Sequence, residues 1–179
     1  DDAAAEVVLR ALKSSAMTVY GKDSTGATYS DMLFSGGGQG ANAGSDGKSG
    51  LLYPTSAANT SIEMIETRAP IVVTEKAFIV DSGGAGQYRG GLAQLVRLRK
   101  RDEDGLPMLV SVYPEGVGLK IAGLHGGQAG LSARGEVQDA VGQVVHDCGA
   151  GELVTLQRTD EFVVLTLAGG SGYGDPGAR

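Results

Sequence analysis

Asn59, Thr60, Arg89 and His125 are the side chains of this 179-residue sequence best placed by type and setting to hold a small polar substrate. Arg89 follows Tyr88 inside Asp81-Ser-Gly-Gly-Ala-Gly-Gln-Tyr-Arg-Gly-Gly91. Its guanidinium offers a planar fork of donors that suits a carboxylate or a phosphate oxygen. Glycine in such a stretch serves either φ > 0 or close approach by another group, so the segment reads as a rigid platform carrying Tyr88 and Arg89, or simply as a long hairpin connection. His125 sits in a second glycine-rich run, Gly123-Leu-His-Gly-Gly-Gln-Ala-Gly130. Asn59 and Thr60 precede a short apolar helical pattern through Ile62, Met64 and Ile65. Either can cap that helix, and Thr60 with Glu63 three residues on has capping-box spacing. The alternative is that these polar groups and the helix's free N–H groups hold a substrate carbonyl or carboxylate.

Other chemistries are poorly served. Cys148 is the single cysteine, so no internal disulfide forms. His146 lies on its face of a strand, two residues away, but strand neighbours at that spacing stand about 7 Å apart. A buried, inert thiol is the simpler reading. The two histidines show neither H-x-H nor H-E-x-x-H spacing, so the chain itself offers no metal set. Gly44-Ser-Asp-Gly-Lys-Ser invites a phosphate-loop reading, but Ala43 stands where the first glycine belongs. An exposed loop over an active site is the expectation for residues 36–50.

The composition bounds the fold. Apolar residues make up 41% of the chain, enough for a core of one domain, or of a domain with an appendage. Thirty glycines without a period, beside five prolines, exclude collagen and suggest short strands joined by tight turns. A net charge of −6 argues against nucleic acid as a partner. The basic cluster Arg97, Arg99, Lys100, Arg101 is followed at once by three acidic residues and reads as a solvated strand end. No run of about 18 apolar residues and no signal peptide is present, so a membrane span is not expected and a cytoplasmic setting is the default.

In chain order, residues 1–12 have a helical pattern, with Val7, Val8 and Leu12 as an apolar stripe. The sequence opens without Met, which suggests processing or a longer polypeptide. Residues 17–34 read as a strand pair or an irregular loop. Residues 71–80 and 92–101 are strands flanking the glycine platform, and 107–113 is another. Residues 116–135 are loop-like, and 136–146, 152–158 and 161–168 complete the strand series. The fold expected is α+β, mostly β, with one or two short helices ahead of the strands. Residues 1–68 form a helix and glycine-loop portion, and residues 69–179 a β-rich portion.

The order of motifs resembles the C-terminal part of the hydantoinase B/oxoprolinase family, whose relatives include acetone and acetophenone carboxylase large subunits. The matching pieces are Ser49-Gly50-Leu51; Asn59-Thr60-Ser61-Ile62-Glu63; residues 81–92; Gly123-Leu-His-Gly-Gly127 with Gly130; Gly151-Glu-Leu-Val154; and Gly169-Gly-Ser-Gly-Tyr-Gly-Asp-Pro176. Ser61 stands where the family's N-T-P-x-E run has proline, and Pro114-Glu-Gly-Val-Gly-Leu-Lys120 replaces an arginine-rich segment. The resemblance implies part of a larger B-type subunit, inactive alone, in an ATP-dependent complex. An A-type subunit would bind ATP and Mg and phosphorylate a carbonyl oxygen. The B-type subunit would then open a cyclic amide such as a hydantoin, oxoproline or lactam. A ketone carboxylase and a non-catalytic assembly module are the alternatives. The family's Asp and His metal ligands lie in an N-terminal portion outside this sequence, so any divalent metal belongs there.

Overall fold

The computed structural model describes residues 14–52, 61–114 and 117–179. Nine strands form two antiparallel sheets. β1 (Ser14–Lys22), β2 (Thr28–Gly36), β5 (Met108–Tyr113) and β8 (Glu152–Leu156) make one, in the order β2-β1-β5-β8. β3 (Ile71–Phe78), β4 (Gln94–Lys100), β6 (Arg134–Gln138), β7 (Val144–Cys148) and β9 (Phe162–Thr166) make the other, ordered β3-β4-β9-β6-β7. One short helix, α1 (Ile62–Arg68), lies among the described residues. The chain is therefore α+β and mostly β. The proposed helix over residues 1–12 lies outside the described residues.

Alternation along the strands sends one set of side chains between the sheets. Val19, Val110 and Leu156 from the first sheet share a buried cluster with Ile71, Leu98 and Leu165 from the second. Burying such side chains contributes roughly 1.5–3 kcal/mol each relative to exposure. The outward rows of the four-stranded sheet pair as Phe34–Ala16–Tyr113, Met32–Thr18–Ser111–Leu153, Ser30–Tyr20–Leu109–Thr155 and, at the hairpin end, Thr28–Lys22. Lys22 is the one charged side chain among them. The outward face of the other sheet carries Arg97 over the Phe162 ring at 3.7 Å and an Arg134–Glu136 pair.

Residues 17–34 form the β1–β2 hairpin, whose turn is set by Asp23 Oδ1 accepting the N–H groups of Thr25 and Ala27. Four other expectations are corrected. Residues 136–146 are not one strand: Asp139 Oδ1 accepts the N–H groups of Val141 and Gln143, and Gly142 takes φ 81°, so the run folds into the β6–β7 hairpin. The N-cap of α1 is Ser61, whose Oγ accepts Met64 N–H at 3.3 Å, which displaces Thr60 and its capping box. The basic cluster is not all solvated. Inward alternation in β4 buries Lys100 to 4% exposure, where its ammonium meets Asp104 at 3.0 Å and donates to the Leu106 carbonyl. The run 36–50 is only half exposed, because residues 36–38 are buried.

That last correction belongs to a second architectural unit. The glycine runs 36–50, 81–91, 123–130 and 169–174 lie side by side and bond backbone to backbone. Gly38 N donates to Ala168 O, Gly91 N to Gln39 O, Gly170 N to Gly91 O, and Gly172 N to Gln128 O, all at 2.8–2.9 Å. Ser82 pins this stack to the sandwich: its Oγ donates to Ile79 O at 2.6 Å and accepts Ala93 N–H at 2.8 Å. The platform does connect two antiparallel strands, β3 and β4, but it is a packed layer rather than a loop in solvent.

Candidate functional site

Two of the four expected site residues, Arg89 and His125, lie beside the Tyr88–Tyr173 pair of the glycine stack. Tyr88 and Tyr173 exchange backbone hydrogen bonds, each at 2.9 Å. On the far side of Tyr173, Leu124 N donates to Gly172 O and Gly174 N donates to Leu124 O. Arg89 and His125 follow Tyr88 and Leu124 in sequence: the antiparallel bridge sets Arg89 on the Gly172 side of Tyr173, and the parallel one sets His125 on the Gly174 side. Both are exposed. His125 takes the left-handed φ of 51°, and its ring lies 5.0 Å from that of Tyr173 at 55°. A non-glycine residue in that region costs energy that its surroundings must offset.

Asp46, which sequence reasoning missed as a site residue, fixes the Arg89 segment. Its Oδ1 accepts Arg89 N–H at 2.7 Å, and its Oδ2 accepts from the Arg179 guanidinium at 3.1 Å. The Arg89 N–H, with Arg179 adding to it, holds the Asp46 carboxyl below the usual carboxylate range. The available signal was the Gly-Ser-Asp-Gly turn itself, since Asp in a turn readily accepts a backbone N–H. The same contacts dispose of the phosphate loop. Gly47 N already donates to Arg89 O, Lys48 O accepts from Gln39 N, and Ser49 Oγ accepts from Leu92 N. A phosphate would have to displace them.

Beside Asp46 and Tyr88 lies a depression of about 470 Å³, bordered by Gln87, Ser45 and Arg179. A larger hollow of about 640 Å³ opens elsewhere, between Ile79, Val80, Leu131 and Lys120. Neither hollow is lined by Arg89 or His125. The depression beside Asp46 is the better candidate because the Arg179 guanidinium and the Tyr88 ring border it and Asp46 ties the Arg89 segment to it, a setting that can bind an anionic or carbonyl group.

The remaining candidate residues lie elsewhere. Asn59 and Thr60 lie outside the described residues. Cys148 is buried, and burial, reinforced by the charges of Glu152 and Asp147, pushes its thiol up to about 11. His146 pairs with Glu152 at 2.5 Å. The thiol is therefore no nucleophile at neutral pH. Among the described residues no three His, Cys, Asp or Glu side chains gather as a metal set, and no helix among them is long and apolar enough to cross a membrane.

Comparison with known proteins places this geometry. The chain is 30% identical over 161 residues to 5-oxoprolinase PfmaA of Pestalotiopsis fici, covering 87% of itself and 12% of that protein. It is 32% identical over 123 residues to caprolactamase subunit beta of Pseudomonas jessenii, covering 64% of itself and 20% of that subunit. Its fold matches the crystal structure of the ATP-dependent caprolactamase from Pseudomonas jessenii with a TM-score of 0.73 at 23% identity, over 96% of this chain and 31% of that one. The chain thus spans a fifth or less of the length of these two curated relatives. Residues 3–176 match the Hydantoinase B/oxoprolinase family, and the chain belongs to that family.

Proposed function

We propose that this chain is part of the B-type subunit of an ATP-dependent cyclic amide hydrolase that opens a hydantoin, 5-oxoproline or lactam ring. The observation that carries the reading is the family match across residues 3–176. The names of the relatives, a 5-oxoprolinase and a caprolactamase subunit, point to ring amides. In this reading an A-type partner holds ATP and Mg and phosphorylates the amide oxygen. That converts a poor electrophile into one with a leaving group. A divalent metal, in this reading, would belong to the N-terminal portion of the B-type subunit, as the family resemblance implies. The role left to this chain is to hold the activated substrate. Arg89 faces a carboxylate or phosphate oxygen, His125 and the Tyr88–Tyr173 pair border the ring, and Asn59 and Thr60 contribute from the stretch ahead of α1.

The test is turnover by the assembled complex with ATP and caprolactam, 5-oxoproline or hydantoin, with and without bicarbonate. Ring opening without bicarbonate is expected. ATP turnover that requires bicarbonate and a ketone would replace this reading with the carboxylase. Arg89→Ala should lower kcat/KM at least tenfold while the melting temperature stays unchanged. Full activity in Arg89→Ala and His125→Ala would leave the assembly role instead.

A further inference from the structure

We propose that the outward face of the four-stranded sheet is where the rest of a B-type polypeptide packs onto this module. The inference rests on the reading above, and it identifies the surface. Along the three central outward rows of β2, β1, β5 and β8 no side chain is charged, and Lys22 at the hairpin end is the one charge beyond them, although 36 of 179 residues are Lys, Arg, Asp or Glu. Four large side chains are half exposed there: Phe34 at 51%, Leu153 at 50%, Met32 at 48% and Tyr113 at 46%. Large apolar side chains grouped on adjacent strands, here interleaved with Ser and Thr, are where an interaction surface is to be sought.

The other sheet sharpens the assignment. Its outward face carries Arg97 on Phe162 and Arg134 with Glu136, and Val164 and Thr166 between them are buried. Charged side chains thus lie across that face, whereas the central rows of the first sheet carry none.

The occupant follows from length and area. The matched chain of the caprolactamase is about three times as long as this one, since this chain covers 31% of it. The longer polypeptide must rest on some face of the module. The uncharged rows span three strand spacings and four residue steps, roughly 200–400 Å². A stable interface between separate molecules needs about 800 Å² per partner, so a second copy would be held too weakly. Within one polypeptide the tether supplies the effective concentration, and a smaller apolar patch suffices.

The experiment places the photo-crosslinking residue p-benzoylphenylalanine at Phe34, and separately at Leu153, in the full-length B-type polypeptide carrying this segment. Val141, 86% exposed at the tip of the β6–β7 hairpin, serves as control. Crosslinks from both sheet positions to peptides outside residues 1–179 of the same polypeptide, at least tenfold above the control, are expected. Crosslinks confined to residues 1–179, to a second copy or to the A-type subunit, or no crosslinks at all, would overturn the proposal. Lactam turnover is measured on the same preparations. Loss of ring opening with the crosslinks intact would refute the function and leave the docking face standing. Turnover without crosslinks would do the reverse.

Discussion

The sandwich and the glycine stack are both close-packed, but by opposite means. Between the sheets, Leu98, Val110, Leu165 and their neighbours fill space with side chains. In the stack, main chains touch directly and side chains are excluded. A methyl group at Gly90 would overlap the carbonyl oxygen of Gly170, and one at Gly170 would overlap that of Gln39. The difference lies in what can yield. A side chain can change rotamer, whereas a hydrogen-bonded main chain cannot retreat without breaking its own bonds. The stack is thereby a rigid mount, suited to holding Tyr88, Arg89 and His125 at fixed separations, while the sandwich is the tolerant support beneath it.

The strongest way to break this contrast is a single methyl in the stack. Gly90→Ala should destabilise the fold by more than about 4 kcal/mol, at the extreme of single substitutions, or leave the chain insoluble. Leu98→Ala, which empties a fully buried site between the sheets, should cost about 2–5 kcal/mol and leave a folded protein. Denaturant unfolding of both variants measures the pair. If Gly90→Ala proves milder than Leu98→Ala, the stack is softer than its contacts imply.

The sandwich also contains one polar anchor. Lys100→Ala removes the ammonium that pairs with Asp104 and donates to the Leu106 carbonyl, and should lower stability. The Lys100 ammonium, helped by Leu106 N–H, holds the Asp104 carboxyl below its ordinary value of 3.8. Because that value is depressed in the folded state, the stabilisation is complete above pH 3.8 and is lost as pH falls through the lower, folded value. The stability gap between wild type and Lys100→Ala should therefore narrow in acid, as urea titrations at pH 6 and pH 3 would show.

A milder comparison separates the two uses of glycine. Gly142 has open space around it but φ +81°, so Gly142→Ala should cost about 1–2 kcal/mol through backbone strain alone. Gly44 has neither a positive φ nor a neighbour closer than 3.8 Å, and Gly44→Ala should stay within about 0.5 kcal/mol of wild type. Together with Gly90→Ala these give three glycines, three mechanisms and three magnitudes.

This also explains what was legible beforehand. Strands β3, β4, β5, β8 and β9 were readable because a period of two in apolar residues has one meaning. The glycine excess had two, and nothing local distinguishes them. The run 81–91 reads either as a rigid platform or as a hairpin connection, and none of its five glycines takes a positive φ: Gly84, Gly86, Gly90 and Gly91 serve close approach to segments distant in sequence, and Gly83 to Gly90 across the run itself. Asp46 and Arg179 were missed for the same reason. Their meeting, and that of Asp46 with Arg89, depends on runs far apart in the chain lying side by side. Lys100 was misread because its charge suggested solvent, while the strand period already pointed it inward. The α1 cap was off by one residue, since Thr60 and Ser61 offer the same hydroxyl chemistry.

The smallest expected effect concerns the thiol at the edge of the sandwich. Cys148 packs against the Gly135 main chain, and burial pushes its thiol up from about 9.0 to about 11. The folded state thus holds the thiol proton more tightly than the unfolded chain does. Between these two values the unfolded state binds fewer protons, so stability falls as pH rises from 9 towards 11. Below pH 9 the group is neutral in both states and contributes no slope. Cys148→Ser, which has no group titrating there, should show a shallower decline of melting temperature over that interval and an unchanged profile from pH 6 to 8. Thiol labelling offers the independent check. At pH 7.5 an aromatic disulfide reagent should react with Cys148 only at the rate of unfolding, and become fast in denaturant. Rapid labelling of the native protein would mean that this edge opens locally, and that the side-chain-packed region, not the glycine stack, is the mobile half of the molecule.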